Sequence, residues 1–142
     1  MASRVTPKEA HQRMTRDGHA YLDVRTVAEF EAGHPAGAYN VPLLVDGPGG
    51  RAPNAAFLAA VGRAFAKDQN LVVGCLAATR SARAAEMLEE AGFTSVVVQC
   101  AGWGGLADAF GRVTEPGWKA AGLPVANAAE PGRSWAELGA KR

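Results

Sequence analysis

Residues 71–92, LVVGCLAATRSARAAEMLEEAG, join a short apolar run to a segment with the spacing of a helix. Residues 71–74 are apolar without alternation, which is typical of a strand covered on both faces in a parallel sheet. Residues 81–91 are predicted to form a helix that Gly92 ends. A buried strand followed closely by a helix is typical of an α/β domain, and Cys75 lies between the two elements.

The alternation of strand and helix continues through most of the chain. Thr6 with Glu9, and Thr26 with Glu29, have the spacing of capping boxes and predict the beginnings of two helices. Asn54 is predicted to cap a third helix. Further strands are expected in the runs AYLDVR, AYNVPLL and SVVVQ, at residues 20–25, 38–44 and 95–99. The pattern predicts an α/β domain with a mainly parallel sheet.

Two segments depart from this alternation. Residues 45–53, VDGPGGRAP, are expected to form a turn-rich loop, and residues 102–118 are expected to mix a short helix with turns. Residues 1–126 are assigned to one domain, since 142 residues fit a single domain and no internal repeat is visible. Residues 127–142 are expected to form a C-terminal tail. This tail is expected either to dock on the domain through two side chains, Trp135 and Leu138, or to be flexible.

Composition and charge argue against several classes of partner. The 15 basic and 14 acidic residues give a formal net charge of +1, with no block of like charge to attract a nucleic acid or an anionic membrane surface. No signal-peptide pattern and no apolar run of roughly eighteen residues occurs. The chain is therefore expected to be cytoplasmic, without nucleic-acid or membrane partners, and its two cysteines are expected to be free thiols.

Cys75 is predicted to lie where parallel sheets bind ligands, beyond the carboxyl end of a strand. The next residues, LAAT, are mostly small or unbranched, so their backbone N–H groups are able to curl into an anion-binding nest. The positive end of the following helix adds to that field, and such surroundings favour a thiolate. A cysteine at a strand end is also often a packing residue, and position alone leaves both interpretations open. The groups placed to hold an anion beside the sulfur are Leu76, Ala77, Ala78, Thr79 and Arg80.

Two blocks of sequence carry the pattern of a known family. One is YLDVRTVAEFEAGHPAGAYNVPL at residues 21–43, and the other begins at residue 72 with VVGCLAATRSARAAEMLEEAGFTSVVVQCAGW. Together they resemble the single-domain rhodaneses, a family of sulfurtransferase-type domains. The first block matches the family's early signature at Asp23, Arg25, Glu29, Gly33, His34, Gly37, Ala38, Asn40 and Pro42. The resemblance covers approximately residues 6–125. It implies a three-layer domain, with a sheet of about five strands flanked by helices on both faces.

The resemblance also implies that Cys75 carries sulfur. In the family, the thiolate takes the outer sulfur of a donor such as thiosulfate, releases sulfite, and holds a persulfide until an acceptor removes the sulfur. The partners implied are a small sulfur-containing anion or thiol, with cyanide or a sulfur-acceptor protein as acceptors. No metal and no organic cofactor is implied.

Two other functions stay open at this point. One is a rhodanese-like module that senses or binds a partner without transferring sulfur, which is favoured by a loop without charge before Arg80. The other is a phosphatase, because a related branch uses an active-site loop one residue longer. The six residues from Cys75 to Arg80 match the sulfurtransferase length, so the phosphatase is the less favoured of the two.

The charged residues around the predicted site have two possible uses. Arg80 either binds the oxyanion of a donor or pairs with a carboxylate, Asp23 or Glu29, and the pairing is favoured. Asp23 and Glu29 are interpreted as structural residues near the site. Arg25 is placed near the rim as a secondary candidate for contact with an anionic substrate. The resemblance implies that His34 is a structural hydrogen-bonding residue without a catalytic role.

The remaining candidates are interpreted as packing residues. Cys100 ends a predicted strand, and a buried thiol is favoured there over a resolving thiol within reach of the first cysteine. Trp103 and Trp118 are candidates for an apolar wall at the pocket mouth, and at least one is expected in the core. His11 and His19 have no neighbours with metal-ligand spacing, so no metal site is predicted.

Overall fold

The computed structural model describes residues 3–77 and 79–139, and its centre is a five-stranded sheet. In chain order the elements are β1 (Ser3–Val5), α1 (Pro7–Arg16), β2 (Ala20–Asp23), α2 (Val27–Glu31), β3 (His34–Pro35), β4 (Tyr39–Asn40), β5 (Leu44–Gly47), β6 (Gly50–Pro53), α3 (Phe57–Ala64), β7 (Leu71–Gly74), α4 (Thr79–Glu90), β8 (Val96–Gln99), β9 (Leu106–Ala107), β10 (Val113–Glu115), β11 (Val125–Ala126) and α5 (Trp135–Leu138). The strand order is β1-β8-β7-β2-β4, and every pairing in this sheet is parallel. The predicted α/β fold is confirmed.

The central strand β7 is buried on both faces, as its unbroken apolar sequence predicted. Leu71 and Val73 belong to a core with side chains of α3, α4 and α5, whereas Val72 belongs to a second core with side chains of α1 and α2. Because β7 pairs with β2 on one side and β8 on the other, the end of β7 lies in the middle of the sheet's carboxyl edge. The layered architecture therefore places the residue after β7 among the ends of several strands.

The two predicted capping boxes are present. The Thr6 hydroxyl accepts from the Glu9 backbone N–H, and the Glu9 carboxylate accepts from the Thr6 backbone N–H. Thr26 and Glu29 make the same reciprocal pair at the beginning of α2. Each pair satisfies backbone donors that a helix terminus otherwise leaves without partners, which explains why these short helices begin where they do.

Several local predictions are wrong. Residues 45–53 are mostly hairpin and not loop, because β5 and β6 pair antiparallel around the turn at Gly47 and Gly50. The short helix expected in residues 102–118 is replaced by the β9–β10 hairpin, whose turn is held by the Asp108 carboxylate. These exposed arms lack the apolar alternation that identifies a strand.

Three further element boundaries differ from the prediction. Strand β1 was not predicted, and it pairs with β8 at the edge of the sheet. Helix α4 begins at Thr79, two residues before the predicted position. The Asn54 side-chain Oδ1 accepts from the Ala56 backbone N–H in a turn that precedes α3, and the N-cap of that helix is Ala56, so Asn54 is not its cap.

The C-terminal segment packs on the domain through α5. Leu138 is buried in the core that contains α3 and α4, and Trp135 packs against the same cluster. The Arg133 carbonyl accepts from the Asn40 backbone N–H, which ties the segment to the edge strand β4. The domain boundary at residue 126 stays a prediction. In the described ranges, no helix has the length and apolarity to cross a bilayer.

Candidate active site at the Cys75 loop

Cys75 directly follows β7, and its side chain is almost fully buried, with the residue 2% exposed. Its Sγ accepts a hydrogen bond from the Ser81 backbone N–H at 3.2 Å, and the Ser81 Oγ lies 3.3 Å from the same sulfur. Ser81 belongs to the first turn of α4, where the backbone N–H groups carry the positive end of the helix dipole. The sulfur therefore receives a backbone N–H from the positive end of a helix, a donor that stabilises negative charge on it.

The predicted loop runs from this sulfur to Arg80. Leu76, Ala77 and Thr79 are exposed, with Leu76 42% exposed at the surface. Ala78, which the sequence assigned to the same loop, lies outside the described residues. Since α4 begins at Thr79, the last two loop residues already have helical conformation, and the Ser81 amide that follows them points at the sulfur.

The backbone of the loop is fixed by a second segment that follows β8. The Trp103 N–H donates to the Cys75 carbonyl at 2.8 Å, and the Gly104 N–H donates to the Leu76 carbonyl at 2.8 Å. Gly102 lies against these carbonyls with φ +61, and a Cβ there would overlap the Cys75 carbonyl and lie 2.6 Å from that of Leu76. The carboxyl end of β7 is thus held by a turn that accepts only glycine at its closest point.

Gln99 positions that turn, and it is not among the site residues predicted from the sequence. Its fully buried side chain accepts from the Ala101 N–H at 2.8 Å and the Gly102 N–H at 2.6 Å, and it donates to the Gly102 carbonyl at 2.9 Å. Its Nε2 also donates to the Tyr21 hydroxyl, whose pKa is raised by burial above its usual range. The sequence does hold a signal for this role, which is a glutamine at the end of the apolar run SVVVQ. A buried amide side chain needs several hydrogen-bonding partners, so a glutamine at this position indicates that it binds nearby backbone groups.

Arg80 pairs with Glu29, one of the two carboxylates proposed for it from the sequence. Its Nη1 lies 2.7 Å from Glu29 Oε1, and its Nη2 lies 3.0 Å from Oε2, which makes a bidentate pair. The Arg80 guanidinium, with a smaller contribution from the Thr26 backbone, lowers the pKa of Glu29 to about 2. The pair therefore links α4 to α2 beside the Cys75 loop and directs both terminal nitrogens of the Arg80 guanidinium at a carboxylate.

The change Glu29→Gln is expected to make the free energy of unfolding depend less on pH in the acid range. The depressed pKa of Glu29 means that its ionised form stabilises the fold above the ordinary value of 4.5, and that this contribution is lost as pH falls toward about 2. Glutamine keeps the capping geometry and removes the charge. We expect a loss of about 1 kcal/mol at pH 7, reduced from a buried-pair value by solvent screening, and a smaller difference near pH 3.

Urea unfolding at pH 7, 4 and 3, followed by tryptophan fluorescence, measures this difference. Glu86→Gln is the matched control, because it removes a contact of 3.5 Å with Arg83 between side chains that are each 61% exposed. Its effect on the free energy of unfolding is expected near zero at each pH. A difference between Glu29→Gln and the wild type that stays constant from pH 7 to 3 would contradict the assigned ion pair.

Arg25 was expected near the rim of the site, but the structure buries it. Its Nη2 donates to the Asp23 carboxylate at 2.8 Å and to the Gly33 carbonyl at 2.7 Å, and the side chain is 3% exposed. Its guanidinium also lies over the Trp103 ring, 4.8 Å from the centroid. Burial against a carboxylate, a carbonyl and an aromatic face gives Arg25 a structural place, and we do not propose a substrate contact for it.

The comparisons with known proteins identify the family of the chain and its fold. The family model described as a rhodanese-like domain matches residues 6–109, which is well over half of the chain. The chain belongs to the rhodanese-like domain family. The resemblance proposed from the sequence is confirmed, and so is the three-layer fold expected from it.

Two curated relatives of this rhodanese-like domain are named as sulfurtransferases. Thiosulfate sulfurtransferase 16, chloroplastic, of Arabidopsis thaliana is 44% identical over 94 residues, which are 66% of this chain and 78% of that protein. Thiosulfate sulfurtransferase 18 of the same plant is 36% identical over 99 residues, which are 67% and 73% of the two chains. Senescence-associated protein DIN1 of Raphanus sativus is 38% identical over 63% of this chain, and the match spans about half of that relative, 49%.

Solved structures support the fold of the rhodanese-like domain. The crystal structure of Rv0390 from M. tuberculosis has a TM-score of 0.72 and 28% identity, and the match covers 89% of this chain and 98% of that one. A rhodanese-related protein from Thermoplasma volcanium has a TM-score of 0.60 at 21% identity, over 90% of this chain and the whole of the other, and supports the fold alone.

His34 has a structural place in the rhodanese-like domain. Its Nδ1 lies 2.7 Å from the Phe30 carbonyl, and its ring stacks on the Phe30 ring at a centroid distance of 3.6 Å. Trp118 is fully buried and its Nε1 donates to the Pro124 carbonyl, whereas Trp103 is half-buried beside the loop. The prediction that at least one of these tryptophans lies in the core is confirmed.

Cys100 is the second free thiol of the rhodanese-like domain and is half-buried after β8. Burial, followed by the charge of Glu115, raises the pKa of its thiol, which disfavours a nucleophilic thiolate there. A structural thiol stays the favoured interpretation. In the part of the chain that the structure describes, no group of three or more His, Cys, Asp and Glu residues is placed to hold a metal ion.

Proposed function

We propose that this rhodanese-like domain is a sulfurtransferase, in which Cys75 takes sulfur from a donor such as thiosulfate and passes it to cyanide or a thiol. The observation that carries the proposal is the hydrogen bond of 3.2 Å from the Ser81 backbone N–H to Cys75 Sγ. A donor at the first turn of a helix stabilises the thiolate before it takes up sulfur and the persulfide that forms afterwards. The two relatives named as thiosulfate sulfurtransferases support the same reaction class.

The proposed transfer has two steps. In the first, the Cys75 thiolate attacks the outer sulfur of thiosulfate, a new S–S bond forms on the enzyme, and the S–S bond of the donor breaks with its electron pair leaving on sulfite. In the second, cyanide or a thiolate attacks the outer sulfur of the persulfide, and Cys75 leaves as the thiolate. No external oxidant is needed, and a difficult transfer is divided into two displacements.

The other site residues are proposed to hold the loop in place for these steps. The backbone of Leu76, Ala77 and Thr79, with Ala78 assigned from the sequence alone, faces the incoming donor. Arg80 anchors the end of the loop to Glu29 at 2.7 Å, so we assign it a positioning role. A protein acceptor stays a further proposed partner, and the cytoplasmic location stays a prediction from the sequence.

A thiocyanate assay tests the proposal. The purified chain is incubated with thiosulfate and cyanide, and thiocyanate is measured as its coloured iron complex over time. We expect formation that is proportional to protein concentration and saturates with thiosulfate, and no hydrolysis of an aryl phosphate by the same preparation. Thiocyanate formation no faster than without protein would contradict the proposal and favour a binding module, and rapid aryl phosphate hydrolysis would favour a phosphatase.

A further inference from the structure

The Cys75 loop has little free positive charge of its own. Its residues from Leu76 to Thr79 carry no charge, and Arg80 is engaged with Glu29 in a bidentate pair. Arg25 is engaged with Asp23 and is buried. A small dianion that approaches the sulfur therefore meets two arginines whose charges are already compensated by carboxylates.

A third arginine lies on the outer side of the same carboxylate. Arg51, in β6 of the β5–β6 hairpin, has its Nη2 3.7 Å from Glu29 Oε1, and its side chain is 46% exposed. This separation exceeds a hydrogen bond. Among the side-chain hydrogen bonds of residues 3–77 and 79–139, none involves the Arg51 guanidinium, so its five donors remain available to a ligand.

The charges around Glu29 do not cancel. Glu29 lies between the Arg80 and Arg51 guanidinium groups, so one negative charge faces two positive ones. Arg80 is close enough to the loop for the charge of Cys75 to contribute to raising the Arg80 pKa, after the larger effect of Glu29. Arg51 is thus the outer cation of the pair that faces Glu29, and its guanidinium is exposed at the surface.

We infer that Arg51 is the residue that recruits an anionic sulfur donor to the mouth of the Cys75 loop. The donor class is a small oxyanion that carries a transferable sulfur, for which thiosulfate is the probe, and this assignment rests on the proposed sulfurtransferase activity. A planar guanidinium on the hairpin matches an oxyanion by two parallel N–H···O bonds. The β5–β6 hairpin, which is distant in sequence, then provides the attraction for anions that the uncharged loop lacks.

The first test compares donor kinetics of Arg51→Gln with the wild type. We expect the KM for thiosulfate to rise about two- to five-fold, as for other exposed charge pairs, with little change in kcat. The difference is expected to shrink at high ionic strength, because salt screens exposed charges. Arg51→Lys is expected to recover only part of the effect, since it keeps the charge and loses the fork geometry.

The second test measures how Arg51 affects the access of an anion to Cys75, without any sulfur transfer. Alkylation of Cys75 by iodoacetate, an anion, is compared with alkylation by neutral iodoacetamide in a Cys100→Ser background, with the Cys75 peptide followed by mass spectrometry. Arg51→Gln is expected to lower the rate ratio of iodoacetate to iodoacetamide about two- to five-fold. Arg16→Gln, which removes an exposed arginine at the end of α1, is the matched charge control and is expected to leave the ratio unchanged.

The outcomes separate this inference from the proposed function. A lower alkylation ratio in Arg51→Gln supports the anion-recruiting cation even if no thiocyanate forms, in which case only the sulfurtransferase proposal fails. An unchanged ratio and unchanged KM in an active protein overturn the inference alone. Equal effects of Arg16→Gln and Arg51→Gln also overturn it, because the attraction for the anion is then not specific to Arg51. A Cys75 thiol that neither reagent modifies overturns it as well, because an anion then does not reach the sulfur.

Discussion

Replacing Cys75 with serine is expected to reduce sulfur transfer from thiosulfate to cyanide to the background rate, a loss on the order of 1,000-fold or more. A serine hydroxyl is not ionised near neutral pH and its oxygen does not form a persulfide, so both proposed displacements are lost. The Ser81 N–H, which lies 3.2 Å from the sulfur, would still have an acceptor in the serine oxygen. The variant is therefore expected to fold, which circular dichroism checks alongside the thiocyanate assay.

Cys100→Ser is the matched control for this variant. Both changes replace a free cysteine by serine, but Cys100 lies after β8 with a thiol pKa raised by burial. Its activity is expected to stay within about two-fold of the wild type, as for a substitution that touches no reacting group. Activity that survives in Cys75→Ser, or that disappears in Cys100→Ser while the protein stays folded, would move the sulfur carrier away from Cys75.

Gly102→Ala is expected to have the largest effect on stability. Its φ of +61 costs an alanine about 1–2 kcal/mol. The new Cβ would also overlap the Cys75 carbonyl and lie 2.6 Å from the Leu76 carbonyl, which adds about 1–3 kcal/mol of overpacking. Together these costs predict a fall in Tm of roughly 8–20 °C and a displaced loop with reduced sulfur transfer.

Gly111→Ala separates the two causes. Gly111 has φ +79 in the β9–β10 turn, and a Cβ there would meet no atom within 4 Å. This variant is expected to lose only the conformational part, about 1–2 kcal/mol, and to keep its activity. Thermal unfolding and thiocyanate formation are measured for both variants. If Gly102→Ala is as mild as Gly111→Ala, the close contact between the turn and the Cys75 loop is not what holds the site.

The features predictable from the sequence are those set by neighbouring residues. The capping boxes at Thr6 and Thr26 were predictable because the partner is three residues away and the geometry is local. The buried strand β7 was predictable because a strand covered on both faces is apolar at every position. The position of Cys75 between that strand and α4 follows from the same reasoning, and so does the fold class.

The features that the sequence did not reveal depend on contacts between distant segments. The turn that holds the loop brings residues 102–104 against residues 75–76, and nothing in the sequence of either segment identifies the other as its partner. The Arg80 pair spans 51 residues, and the sequence reduced it to two carboxylates without choosing between them. The β5–β6 hairpin escaped prediction because its arms are mostly exposed, and with it the place of Arg51 beside Glu29.

The central claim is that Cys75 carries the transferred sulfur. The most direct measurement is a mass spectrum of the chain after incubation with thiosulfate and removal of excess donor, with the peptide that contains Cys75 sequenced without reducing agent. The result expected is one added sulfur atom on Cys75, absent from Cys100 and removed by cyanide with release of thiocyanate. A Cys75 peptide of unchanged mass, or an added sulfur found on Cys100, would contradict the account.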